Sequence, residues 1–139
     1  MKRDWDLLRK LLTNIEEGND VLAEVPDEPR WTDDLTQQDY ERAVKECKVL
    51  EERIAGHLEL LVDSGYVDGL TVVRGADNYI SFGVHAPRLT MAGYDLLDTM
   101  RSATVWEKIK STASKKGIEL TFDAIKALAG VVIKQMLGA

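Results

Sequence analysis

The chain has 139 residues, 45% of them hydrophobic, and a net charge of −6 at neutral pH. That length suits one domain with a short appendage and a sizeable core, and the composition excludes wholesale disorder. A single cysteine, Cys47, excludes an intrachain disulfide framework, and no run reaches the roughly 18 apolar residues of a membrane span.

The first predicted element is a helix. Trp5, Leu8, Leu12 and Ile15 recur at spacings of three and four, Leu7 and Leu11 widen the stripe, and Asp4 and Asp6 suit the positive end of the helix dipole. Gly18 supplies the stop. The start "MKRDWDLLRKLL" is basic, but no apolar core of a signal peptide follows, so a cytoplasmic location is expected. The stretch from Gly18 to Leu35, with Pro26, Pro29 and many acids, reads as a connector. Within it "VLAEV" is expected to form a short strand, and Trp31 to anchor the connector to the core.

Thr36 is an N-cap. Tyr40, Val44, Cys47, Leu50, Ile54, Leu58 and Leu61 then keep one helical rhythm, with no Gly, Pro or Asn near residues 49–53 to break it. One long helix is predicted, closed by Ser64-Gly65. "YVDGLTVVR" and "NYISFGV" flank the turn-former "GADN" and predict a β-hairpin that ends at Pro87, with Leu89 pointing inward. Thr90 caps a helix over about 91–101. "TVWE" at residues 104–107 has the form of a capping box opening a helix to Gly117. Thr121 caps the last helix, whose apolar face of Phe122, Ile125, Leu128, Ala129, Val132, Ile133 and Met136 is wider than one contact stripe needs.

"MKRDWDLLRKLL", "HLELLVDSGYVDG", "RLTMAGYDLLDTMR" and "TVWEKIK", in that order, resemble a bacterial, largely phage- and prophage-encoded family known as a domain of unknown function. The resemblance implies a winged-helix-like domain and a phage or prophage origin. It implies no established activity, so no functional residue is carried over. The connector and the helix before His57 are longer than the family pattern, and Gly56 stands where that pattern has an aromatic. The fold expected is α+β and mainly helical: a winged-helix-like domain with a hairpin wing over residues 1–103, and a helical extension over 104–139 packing on it or on a partner.

Charge bears on function. Counting Lys and Arg against Asp and Glu, residues 1–40 hold 5 and 11, residues 41–100 hold 6 and 10, and residues 101–139 hold 7 and 3. The body is acidic and the last third basic. In a DNA reader the long helix would bring Arg, Lys, Asn or Gln to base edges. Here Glu46, Glu51, Glu52, Glu59 and Asp63 outnumber Lys45, Lys48 and Arg53, so the phosphate backbone is repelled. Candidate DNA contacts reduce to Arg74 and Arg88 beside the hairpin and to Lys108 and Lys110 near the C-terminus. The N-terminal Lys2, Arg3, Arg9 and Lys10, and the lysines from 108 to 116, are accounted for more simply as solvated helix faces.

His57 and His85 with Cys47 have no metal-ligand spacing, so neither metal nor cofactor is expected. No Gly-x-Ser-x-Gly elbow, phosphate-binding glycine loop or His-Glu-x-x-His occurs, and an enzyme is not expected. The primary reading is a protein-interaction or assembly module, with Ile125, Leu128, Val132 and Met136 as the candidate interface for an unidentified protein or for self-association. The alternative is a DNA-binding regulator using the wing and the basic termini.

Overall fold

A computed structural model describes residues 1–138. Helix α1 spans Trp5–Glu16 and α2 Gln37–Asp63; strands β1 (Val67–Arg74) and β2 (Ile80–Leu89) form an antiparallel hairpin; α3 (Met91–Met100), α4 (Ala103–Lys116) and α5 (Phe122–Met136) follow. This is a mainly helical α+β arrangement. The predicted long helix is unbroken over 27 residues. Thr36, Thr90 and Thr121 each accept the capping hydrogen bond expected of them.

All five helices and both strands feed one apolar cluster. Leu8, Leu11, Leu12 and Ile15 of α1 lie at its centre, with Leu58 and Leu61, Leu96, Leu97 and Met100, and Trp106 and Ile109 around them. Helix α5 closes it, packing on α3 and α4. Leu89 points inward as expected.

Four local expectations are corrected. Residues 21–25 are turns rather than a strand, because the Asp20 carboxylate accepts from the Leu22 amide and the Asp20 carbonyl from the Ala23 amide. These local bonds compete with pairing, although Val21 still enters the core. Trp31 is half exposed and packs edge-on against Tyr40, with ring centres 5.5 Å apart, instead of reaching the core. Helix α4 begins at Ala103, and its N-cap is two residues before the Thr104 of the "TVWE" box, because the Ser102 hydroxyl accepts from the Val105 amide. Pro87 does not end the hairpin. The register shifts between Asp68 and Leu70, so residues 85–87 bulge opposite Gly69, and a bulge tolerates a residue without an N–H. Gly69 has φ +81°, and a Cβ there would strike the His85 and Ala86 carbonyls; glycine is required for the bulge to form.

The broad apolar face of α5 divides in two. Ile125, Leu128, Ala129 and Val132 are buried in the chain's own core, while Val131, Ile133, Met136 and Leu137 are exposed. Ile125→Ala is expected to cost about 2–5 kcal/mol of unfolding free energy in urea titrations, and Met136→Ala to fall within about 0.5 kcal/mol of the parent. Equal costs would show that the division is wrong.

Candidate functional site

Three consecutive residues at the start of α1 border an open groove. Asp4 is the N-cap: its Oδ1 accepts from the Leu7 amide at 3.1 Å, and its Oδ2 pairs with Arg53 of α2. Its own backbone N–H donates to His57 Nε2 at 2.8 Å. His57 is fully buried, with Nδ1 2.7 Å from the Arg53 carbonyl. Because a backbone N–H can only donate, Nε2 is the acceptor and Nδ1 carries the hydrogen. His57 is a satisfied structural histidine. Trp5 Nε1 donates to the Leu120 carbonyl at 2.9 Å, and Asp6 Oδ1 accepts from Trp106 Nε1 at 2.8 Å and from Lys110 at 2.9 Å.

Between these contacts and the solvent face of α2 runs an open groove of about 1230 Å³. Val49, Gly56 and Leu60 form its long wall, Trp5 and Leu120 face them, and charged side chains of both signs form the rim. The Met1 thioether lies over Gly56, where any Cβ would displace it. A second, shallower hollow of about 510 Å³ continues outward along α2 between Arg42 and Leu50 and shares Val49 with the first.

The outer half of α2 is unusual. Within the helix only Ile54, Ala55, Gly56, His57, Leu58 and Leu61 are buried. Residues 37–53 lie beyond the core, so Tyr40, Val44, Cys47 and Leu50, which share the helical rhythm of Ile54, Leu58 and Leu61, are not buried. Val44, Val49 and Leu50 are exposed, Val49 by 63%. This half is steadied from the sides. Cys47 Sγ meets the Asp27 carbonyl of the connector at 3.5 Å, while Lys48 donates to the Asn78 carbonyl at the hairpin turn and lies 5.7 Å from the Tyr79 ring centre. Burial, then the charges of Glu51, Glu28 and Asp27, push the Cys47 thiol up, away from a reactive thiolate.

The candidate DNA contacts are not gathered onto one surface. Arg74 and Lys110 line the groove, while Arg88 and Lys108 lie elsewhere. Arg74 is held by Glu59 at 2.5 Å and Glu52 at 2.7 Å, and hydrogen bonds from those two carboxylates raise its pKa further. Arg88 sits 3.5 Å from Asp68, and Lys110 is 2.9 Å from both Asp6 and Glu107. Lys108 is exposed, with no carboxylate partner among the described residues. Of the candidate interface residues only Met136 reaches the surface. The exposed face of α2 was missed by sequence reasoning. Its one signal is that Val49 and Leu60 fall off the stripe that Ile54, Leu58 and Leu61 define.

No group of three or more His, Cys, Asp or Glu among the described residues is placed to hold a metal ion, and no helix among them is long and apolar enough to cross a membrane. The fold and groove define a mainly helical α+β protein with an open, apolar-walled trough. The chain belongs to the family described as "Hypothetical protein (DUF2513)", whose model matches residues 2–119. It is 30% identical over 137 residues to a protein of Haemophilus influenzae named "Uncharacterized protein", with 99% of each chain covered. That similarity includes α5, which lies beyond the family match. No solved structure matches.

Asp6 gives the groove's foundation a pH dependence. Desolvation raises its pKa, but hydrogen bonds from Trp106 and Lys110 and the charges of Lys110 and Arg9 outweigh it and leave the carboxyl below its ordinary 3.8. A carboxylate depressed on folding stabilises above its unfolded pKa and loses that contribution as pH falls through the lower folded value. Asp6→Asn is therefore expected to flatten the loss of stability below about pH 4, leaving a residual acid limb from Glu16, whose pKa Arg101 likewise lowers. Urea titrations at neutral and acid pH would measure this, and parallel acid limbs would remove Asp6 from the account.

Proposed function

We propose that this chain is a non-enzymatic protein-interaction or assembly module, of phage or prophage type and winged-helix-like in its order of elements, whose partner docks along the outer face of α2. One observation carries the reading: α2 extends seventeen residues beyond the last support of the core and exposes Val44, Val49 and Leu50 there. Of these, Val49 and Leu50 line the outer hollow and continue into the groove at Leu60; an apolar stretch rimmed by charge is the pattern of a protein-binding surface, and an amphipathic helix laid in such a trough is a recurrent mode of recognition. The acidic body supports it. Arg74, Arg88 and Lys110 are each engaged by carboxylates of the same chain, so their charge is already compensated.

A DNA-binding regulator is the second reading. It draws on the helix–hairpin–helix order and on the exposed lysines 108, 115, 116, 126 and 134, for which no carboxylate partner occurs among the described residues. Phosphate-led binding would weaken steeply with salt.

Two measurements separate the readings. Fluorescence anisotropy with random-sequence duplex DNA at low and physiological salt is expected to show no salt-sensitive complex; such a complex would transfer the function to the lysine face. A photo-crosslinking amino acid in place of Val49, expressed in the native host, is expected to yield a discrete protein adduct absent when Lys108 is replaced instead. No adduct from position 49 would end the docking reading.

A further inference from the structure

The docking reading leaves the occupant open, and the charge pattern of α2 narrows it. At 3.6 residues per turn, Arg42, Glu46, Val49, Arg53, Gly56, Leu60 and Asp63 share one face. The two hollows are sections of that face, joined at Val49. Most of its interior charge is paired: Arg53 with Asp4, while Arg74 bridges Glu52 and Glu59 and leaves one negative charge in excess. Uncompensated charge remains at the ends. Arg42 and Lys45 outnumber Glu46 at the outer end and leave it net positive, and Asp63 is exposed at the inner end; none of the four has an ion-pair partner among the described residues. An occupant must therefore bring negative charge to the outer end, positive charge to the inner end, and apolar side chains between.

A second copy of α2, running antiparallel, meets all three demands. We propose that this face is the interface of a homodimer, with the twofold axis between Glu52 and Arg53. Resting on the docking reading above, the proposal names its partner. In this register Arg42 faces Asp63 of the second copy, and the Val49 side chain faces Gly56, where the absence of a Cβ leaves room once the exposed Met1 side chain turns aside. Lys45 lays its aliphatic stem over Leu60. Glu46 faces Glu59, which shares Arg74 with Glu52, so this one contact of like charge is only partly offset. The contact runs about 32 Å from residue 42 to residue 63. Each protruding helix half enters the other copy's groove, so the exposed Val49 and Leu60 of both copies are covered by one operation. A parallel arrangement would set Arg42 on Arg42 and Asp63 on Asp63, and like charges in contact disfavour it.

Sedimentation velocity of the full chain in reducing buffer, across micromolar to sub-millimolar concentration, tests this. The parent is expected to dimerise. Arg42→Glu alone and Asp63→Arg alone should each weaken the dimer by about tenfold or more, because every contact then pairs like charges. The double variant should recover an affinity within about threefold of the parent, since the pairs are restored in reversed sense. Both positions are exposed, and circular dichroism would confirm unchanged folding. A parent that stays monomeric, or a double variant no tighter than the single ones, overturns the homodimer. If the parent is monomeric while position 49 still crosslinks to a different protein, the second copy is wrong and the docking reading survives. Loss of both would end the two together.

Discussion

The structure depends on how Asp4, Trp5 and Asp6 are bonded. A helix N-terminus has amides without partners, and here the residues that answer them also tie three other segments to α1. Asp4 caps its own helix and binds Arg53 and His57 of α2; Trp5 binds the carbonyl of Leu120 just before α5; Asp6 binds Trp106 and Lys110 of α4. The apolar stripe of α1 is covered by all its neighbours, but burial is non-directional. The polar contacts set the directions. The buried His57 is essential to this, since it converts a free backbone N–H into a fixed distance between α1 and α2.

The same bonding explains why the groove is where it is. Helix α1 meets only the inner third of α2, and α2 continues past it without interruption. The outer half then has the connector on one flank and the hairpin turn on the other, through Cys47 and Lys48, and open solvent over Val49 and Leu50. The ion pairs here are local and exposed, so each contributes little to stability. Their larger consequence is to compensate charge. With Arg74 held between Glu52 and Glu59, the hairpin presents to the outside a cluster with one negative charge in excess rather than a cationic surface.

Much of this was legible in the sequence, for identifiable reasons. Helix ends were found where a Thr side chain caps them, at Thr36, Thr90 and Thr121, because capping is a bond within four residues. Ser102 was passed over because the neighbouring "TVWE" also has capping form, and only the observed Ser102–Val105 bond decides between them. The hairpin was read from its turn, yet its length was not, since the bulge that admits Pro87 depends on Gly69 of the other strand. Periodicity found Ile125, Leu128 and Val132 as one face, and equally Val44 and Leu50. It cannot say that the first face has α3 and α4 against it while the second has only the connector, through Trp31 and Asp27, beside it. Which side chains share a face is a local property; what covers the face belongs to the tertiary structure.

That distinction gives the exposed half of α2 its meaning. An isolated helical segment of about this length is marginal in water, because its hydrogen bonds barely offset the ordering of its backbone. Helix propensity alone would be satisfied by Glu, Lys and Arg at the surface positions, which are plentiful in the chain. Instead Val44, Val49 and Leu50 occupy them; two of the three are β-branched and therefore poor helix formers. For Val49 and Leu50, which line the outer hollow, a second surface on that face would recover the cost by removing them from water. Uncompensated charges of opposite sign at the two ends of the same face then orient that surface, since an antiparallel partner of the same sequence matches both ends at once and a parallel one neither.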